Sequence, residues 1–271
     1  MLADITLGQY YPGTSFVHKL DPRTKILATM SFIVAVFLAV SATSYVILVS
    51  FVLGVIFLAK LPVILVVKSI KPLWIIILLT MCIHLLTGQG EVIWSWKFIS
   101  VTKEGLSMGV MMSLRLVLLL MISSILTFTT SPIVLTDGIE SLLKPFKRVG
   151  VPAHELAMMM TIALRFIPTL LEETDRIMKA QMARGAEFTG GNIIARAKNM
   201  LPILIPLFIS AFRRADELAI AMESRCYRGG EGRTCMHELV YANRDILAAT
   251  GIIVLILFMA FLKWGGELCA I

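Results

Sequence analysis

The stretch "ILATMSFIVAVFLAVSATSYVILVSFVLGVIFLA", Ile26 to Ala59, contains no Asp, Glu, Lys or Arg. A helix rises about 1.5 Å per residue and a bilayer core is about 30 Å thick, so this run is long enough to cross a membrane more than once. Ser41-Ala42-Thr43-Ser44 divides it into two spans. Pro72 to Gly90 is a third candidate span, Gly105 to Thr130 a fourth with one charge at Arg115, and Ile246 to Leu262 a fifth. The whole composition agrees, because 58% hydrophobic residues, 16% charged residues and a mean hydropathy of +0.86 exceed what a soluble domain shows. Charged residues and Pro12 precede the first apolar run and no small-residue cleavage site closes it, so no cleavable leader is expected.

Charge is spread unevenly. Of 25 Lys and Arg, 15 lie between Lys144 and Arg244, and 13 of the 18 acidic residues lie between Asp137 and Asp245. That block faces water, and because Lys and Arg concentrate on the cytoplasmic side of membrane proteins, it is expected in the cytoplasm. Counting spans backwards places Lys60, Lys68, Lys71 and the amino terminus there too, and an odd number of spans puts the carboxyl terminus outside. The expected fold is an all-α membrane protein of about five transmembrane helices plus long amphipathic cytoplasmic helices. Its expected divisions are 1–131 (amino-terminal segment and four spans), 132–245 (cytoplasmic helices) and 246–271 (last span and external terminus).

Within the block, apolar residues from Pro152 to Arg184 fall at Leu156, Met160, Ala163, Ile167, Leu170, Ile177 and Met178, while Arg165, Glu172, Arg176 and Lys179 share another face. This predicts an amphipathic helix, with Pro168 a position for a kink. Glu172 with Arg176, and Asp175 with Lys179, have the favourable i,i+4 order. A second helix is expected from Asn192 towards Arg225, its apolar run Met200 to Ser210 too short to span. Aligned by their ends, Asp175 stands nine residues before Arg184 and Asp216 nine before Arg225, and Ala183 matches Ser224.

The ending Ala183-Arg184-Gly185 has two readings. It is a helix stop with Gly in the left-handed position and Arg at the negative end of the dipole, or it is a docking end. Its second copy, Ser224-Arg225-Cys226, favours docking, because Cys is expected to be a poor left-handed cap and what survives is an Arg after a small residue. A small neighbour admits another surface, and the planar guanidinium fork suits acidic pockets on two similar soluble partners.

Other classes fit less well. The net charge of +7 is explained by cations flanking spans, so no nucleic-acid partner is expected. Cys82, Cys226, Cys235 and Cys269 are too scattered for a disulfide framework, and Cys226, Cys235 and His237 read better as isolated groups than as metal ligands. A membrane-embedded enzyme would need clustered nucleophiles or ligands, but His154-Glu155 and His237-Glu238 lack the second His of a zinc-protease motif. A self-contained transporter or channel would place polar residues on several spans, whereas only Arg115 lies deep, with His84 near an outer end. Arg115 itself is open to a functional role or to pairing inside the bundle.

The amino-terminal "LGQYYPGTSFVHKLDPRTKI" (Leu7 to Ile26), the early spans and the paired endings Ala183-Arg184-Gly185 and Ser224-Arg225-Cys226 closely resemble the transmembrane T-component of energy-coupling factor transporters, over essentially the whole chain. Ser224 and Cys226 depart from the family's Ala and Gly. The resemblance implies a scaffold in a bacterial-type cell membrane whose two coupling helices dock two ABC-type ATPases through the six motif residues. It also implies that the scaffold holds a substrate-binding S-component in the bilayer. ATP and Mg would belong to the ATPases, with no cofactor in this chain and no catalysis by it. That matches the absence of a Gly-x4-Gly-Lys-Ser/Thr loop, while Gly229-Gly230-Glu231-Gly232 reads as a flexible exit.

The charge asymmetry sets a topology that labelling can check. A cysteine introduced beside Gly190 should react with a membrane-impermeant reagent only after permeabilisation, and strong labelling of sealed cells would reverse the orientation.

Overall fold

A computed structural model describes residues 10–88, 92–96, 99–186, 188, 193–229 and 239–268. The chain forms two compact units, the first from Gly8–Gly138 with Leu239–Ile271 and the second centred on Ile139–Glu238. Apart from one hairpin, the described elements are helical.

The first unit contains α1 (Pro22–Leu38), α2 (Ala42–Ala59), α3 (Val63–Lys68), α4 (Trp74–Thr87), α5 (Lys103–Thr129) and α9 (Asn243–Leu268). Strands β1 (Val92–Trp96) and β2 (Ile99–Thr102) pair antiparallel between α4 and α5, a hairpin that the apolar pattern gives no reason to expect. Helix α6 (Pro132–Leu143), also unforeseen, leads into the second unit, where α7 (Ala153–Ala183) and α8 (Ile193–Ser224) follow. Those last two fall almost where the amphipathic pattern puts them.

Among the described residues, five helices are long and apolar enough to cross a membrane: α2, the Val63–Thr87 segment, α5, α7 and Asn243–Trp264. Four of the five expected spans are among them. The first expected span is α1, whose 17 residues sit at the short limit for crossing. The fifth, α7, is the least apolar of them and qualifies by length and composition only.

The packing of the first unit explains how a chain this apolar has a defined core. Phe32 and Val36 of α1, Leu48 and Val52 of α2, Leu118 of α5 and Met259 of α9 are almost wholly buried, and Phe32 stacks on Phe51 at 5.7 Å. The outward faces are equally apolar, with Phe57 84% and Trp264 71% exposed, as expected where lipid replaces water. Helices α4 and α5 approach through glycines. A Cβ on Gly88 would lie 2.3 Å from the Gly105 Cα, so no side chain fits there without moving the backbone.

The polar residues of "HKLDPRTK" are concentrated at one place. Asp21 caps α1 by accepting from the Arg23 N–H at 2.9 Å, and Pro22 occupies the first helical position, where no N–H is needed. The Asp21 N–H in turn donates to Asp245 Oδ1 at 2.8 Å, while Asp245 Oδ2 accepts from the Ala242 N–H at the start of α9. Lys25 uses all three ammonium protons: it donates to the His18 carbonyl at 3.1 Å, the Thr129 carbonyl at 3.0 Å and the Thr130 hydroxyl at 3.3 Å. One knot thus ties the starts of α1 and α9 to the end of α5. Lys25 stands where the unpaired carbonyls of α5 concentrate negative potential, and Asp245 in the first turn of α9 where N–H groups concentrate positive potential. Around it, the Tyr11 carbonyl can only accept, which puts the proton of a neutral His18 ring on Nε2 and leaves Nδ1 to accept from the Ser15 hydroxyl at 2.7 Å.

Arg115 finds a partner inside the bundle. Its Nη2 donates at 3.3 Å to the carbonyl of Ala39, the residue that ends α1, and its guanidinium lies 5.6 Å from the Phe37 ring centroid. It acts as a cap on α1 supplied by α5.

Removing the knot should be costly, because each buried acceptor or donor left unpaired costs about 1–3 kcal/mol. Lys25→Met and Asp245→Ala should each lower the thermal midpoint of the detergent-solubilised chain by several degrees, while exposed Lys19→Gln leaves it nearly unchanged.

Candidate partner-docking helix ends

The second unit is built on two long helices with matching ends. Helix α7 is polar along its second half, where Asp175 and Lys179 pair at 2.6 Å as their spacing predicts. Glu172 and Arg176, both exposed, form no ion pair among the described residues. The structure supplies a cross-helix pair instead: Arg214 Nη2 of α8 donates to Glu173 Oε2 of α7 at 2.9 Å. Below it an apolar groove of about 280 Å³ separates the helices, lined by Ile162, Phe166 and Leu170 on one side and Ala215, Leu218 and Met222 on the other. Both helices run unbroken past their prolines, Pro168 in α7 and Pro202 and Pro206 in α8.

Glu173 and Arg214 are separated by 214 − 173 = 41 residues, and Arg184 and Arg225 by 225 − 184 = 41. The ion pair therefore joins equivalent positions of the two helices, each eleven residues (184 − 173 and 225 − 214) before its terminal arginine. At about 1.5 Å per residue each arginine stands about 16 Å along its helix from the shared pair.

The two ends have the same backbone. At the first, the Gly185 N–H donates to the Met182 carbonyl and the Ala186 N–H to the Gln181 carbonyl, with Gly185 at φ +86°. At the second, the Cys226 N–H donates to the Glu223 carbonyl and the Tyr227 N–H to the Met222 carbonyl, with Cys226 at φ +58°. Both are Schellman turns, which satisfy the last carbonyls of a helix through one left-handed residue. Cys226 is a poor left-handed cap, as expected, yet it occupies that conformation, at the roughly 1–2 kcal/mol that a Cβ costs there. The hydrogen bonds of the turn outweigh the local steric penalty.

This turn is not itself distinctive, since Lys60 ends α2 and Gly150 ends the segment after α6 with the same pair of bonds. What distinguishes the two endings is the residue before the left-handed one. It is Ala59 and Val149 at the other turns, and Arg184 and Arg225 here. Ala183, Arg184, Gly185, Ser224, Arg225 and Cys226 are all exposed, and no described residue pairs with either arginine side chain. The Ser224 hydroxyl folds back to the Ala221 carbonyl at 3.0 Å, so its outer surface stays small. Sequence reading missed the Glu173 to Arg214 pair, although the offset that aligns Asp175 with Asp216 also aligns these two. Cys235, His237, Cys269, Leu7 to Gln9 and all of Gly229 to Gly232 except Gly229 lie outside the described residues.

The fold and these ends define a polytopic helical membrane protein that presents two equivalent arginine-tipped helices. Residues 13–236 match the family model CbiQ, described as cobalt transport protein. The chain is 73% identical over 267 residues to the energy-coupling factor transporter transmembrane protein EcfT of Acidaminococcus fermentans, covering 98% of this chain and 99% of that one. It is 54% identical to the protein of the same name in Clostridium kluyveri and 48% to that in Bacillus subtilis, in each case over at least 97% of this chain and all of the relative. The chain belongs to the family of energy-coupling factor transporter transmembrane proteins.

Gly185 and Cys226 permit a clean test of the turn chemistry. A Cβ on Gly185 would meet no atom within 4 Å, so Gly185→Ala should lose only backbone energy, about 1 kcal/mol. Cys226→Gly should gain up to about 1 kcal/mol, read as opposite changes in amide exchange protection over the last turns of α7 and α8.

Proposed function

We propose that this chain is the membrane scaffold of an energy-coupling factor uptake transporter, transmitting ATP hydrolysis by two docked ABC-type ATPases to a substrate-binding S-component. The supporting observation is the equivalence of the two helix ends: the same turn, the same exposed arginine and the same distance from a shared ion pair. Two equivalent ends suit two like partners, and ATPases of this type act as pairs whose separation changes with ATP.

In this reading Ala183-Arg184-Gly185 and Ser224-Arg225-Cys226 each enter an acidic pocket on one ATPase. The small residues let the partner approach the backbone, and the guanidinium supplies paired hydrogen bonds to a carboxylate. The ATPases hold ATP and Mg and perform the hydrolysis, so this subunit is not an enzyme. Because α7 and α8 are linked by the Glu173 to Arg214 pair, displacement of either end is carried into the other helix. The S-component, lodged in the bilayer, reorients in response and carries a vitamin or metal across the cell membrane. The amino terminus and residues 132–245 lie in the cytoplasm, between the spans of 1–131 and the last span of 246–271.

Arg184→Ala and Arg225→Ala should each impair uptake without preventing membrane insertion, since losing one desolvated charged anchor costs about 2 to 5 kcal/mol. The double variant should lose co-purification of both ATPases, because the two-point grip multiplies the two affinities. Lys at either position should restore activity only in part. Normal uptake by the double alanine variant, with both ATPases retained, would leave the endings as helix stops alone.

A further inference from the structure

A separate surface lies at the start of the second unit. Lys144–Val149 forms a short 3-10 segment after α6, and every residue from Lys144 to Gly150 is exposed. Side chains three apart eclipse one another in a 3-10 helix, so this six-residue segment sorts its residues onto three edges. Phe146 and Val149, 54% and 80% exposed, form an apolar edge. Lys144 with Lys147 form a second edge, and Pro145 with Arg148 a third. The three cations and Ser141 line one open concavity.

We propose that this segment binds the phosphate headgroup of an anionic phospholipid at the membrane surface, with Phe146 and Val149 entering the boundary of the acyl chains. The chemistry of the concavity, three cations beside a hydroxyl, is that of a phosphate site. A free phosphate would satisfy the cations but leave the adjacent apolar edge in water, whereas a lipid surface takes both. Distance along the chain agrees. Lys144 follows Thr129, the last residue of the apolar helix α5, by 144 − 129 = 15 residues, within the juxtamembrane stretch where basic residues meet anionic headgroups. The effect is to hold the entry to α7 against the bilayer.

The full-length chain in mild detergent, mixed with equal amounts of phosphatidylglycerol and phosphatidylcholine, tests this by native mass spectrometry. The wild type should retain phosphatidylglycerol with a preference on the order of tenfold, about fivefold being available per cation near a charged surface. Lys144→Gln/Lys147→Gln/Arg148→Gln should abolish the preference, and the charge-keeping Lys144→Arg/Lys147→Arg/Arg148→Lys should retain it, which separates loss of a site from loss of fold. Phe146→Trp should add fluorescence that acyl-brominated phosphatidylglycerol quenches and millimolar inorganic phosphate does not reverse.

An unchanged preference in the glutamine variant would overturn the assignment. So would displacement by inorganic phosphate with no quenching, which would mark a free-anion site. Loss of the ATPases with lipid preference intact would mark a protein interface and overturn it equally. Loss of lipid preference with both ATPases retained supports the lipid site whatever the fate of the coupling reading.

Discussion

The first unit depends on a knot of opposite charges where three helix termini meet. Lys25 neutralises the carbonyl end of α5, Asp21 and Asp245 cap the N–H ends of α1 and α9, and the Asp21 backbone joins the two caps. Helix ends carry polar groups that must be satisfied, and Asp21, Lys25 and Asp245 are buried from water, so their partners have to come from the protein. Residues 224 positions apart in sequence are thereby fixed against each other. Apolar packing alone would not fix them, because lipid is as good a neighbour to Phe or Leu as another helix is.

That is why the unit can be so apolar on both faces. Its interior is set by shape: glycines where α4 meets α5, and stacked Phe32 and Phe51 between α1 and α2. Arg115 follows the same rule as the knot, ending α1 with a charge borrowed from α5. A lone arginine in a span is often taken for a transport residue, but here its hydrogen bond goes to the backbone carbonyl that a helix terminus leaves open.

The second unit uses charge for a different purpose. Most of its described polar residues stay on the outside of α7 and α8, and among the described residues one ion pair links the helices, at equivalent positions. The terminal arginines are left without internal partners among the described residues, although each sits where the helix dipole favours a cation. The left-handed Cys226 shows that the second turn is kept at a conformational cost that Gly185 does not incur.

The amino-acid sequence by itself determined the class of the protein, the apolar helices and the bounds of α7 and α8. Hydrophobic content and periodicity are properties of consecutive residues. It also carried the two arginine endings, because they repeat in register and share a small preceding residue. It did not determine that α1 stops at 17 residues, that a hairpin precedes α5, or that Cys226 adopts the left-handed turn. Those outcomes turn on balances between neighbouring terms. The joining of Lys25 to Thr129 and of Asp21 to Asp245 was decided by tertiary structure alone, because a hydrogen bond depends on where two groups lie in space, and chain separations of 104 and 224 residues leave no periodic trace. Glu173 and Arg214 share the 41-residue offset of the two endings, and only the tertiary structure brings them together.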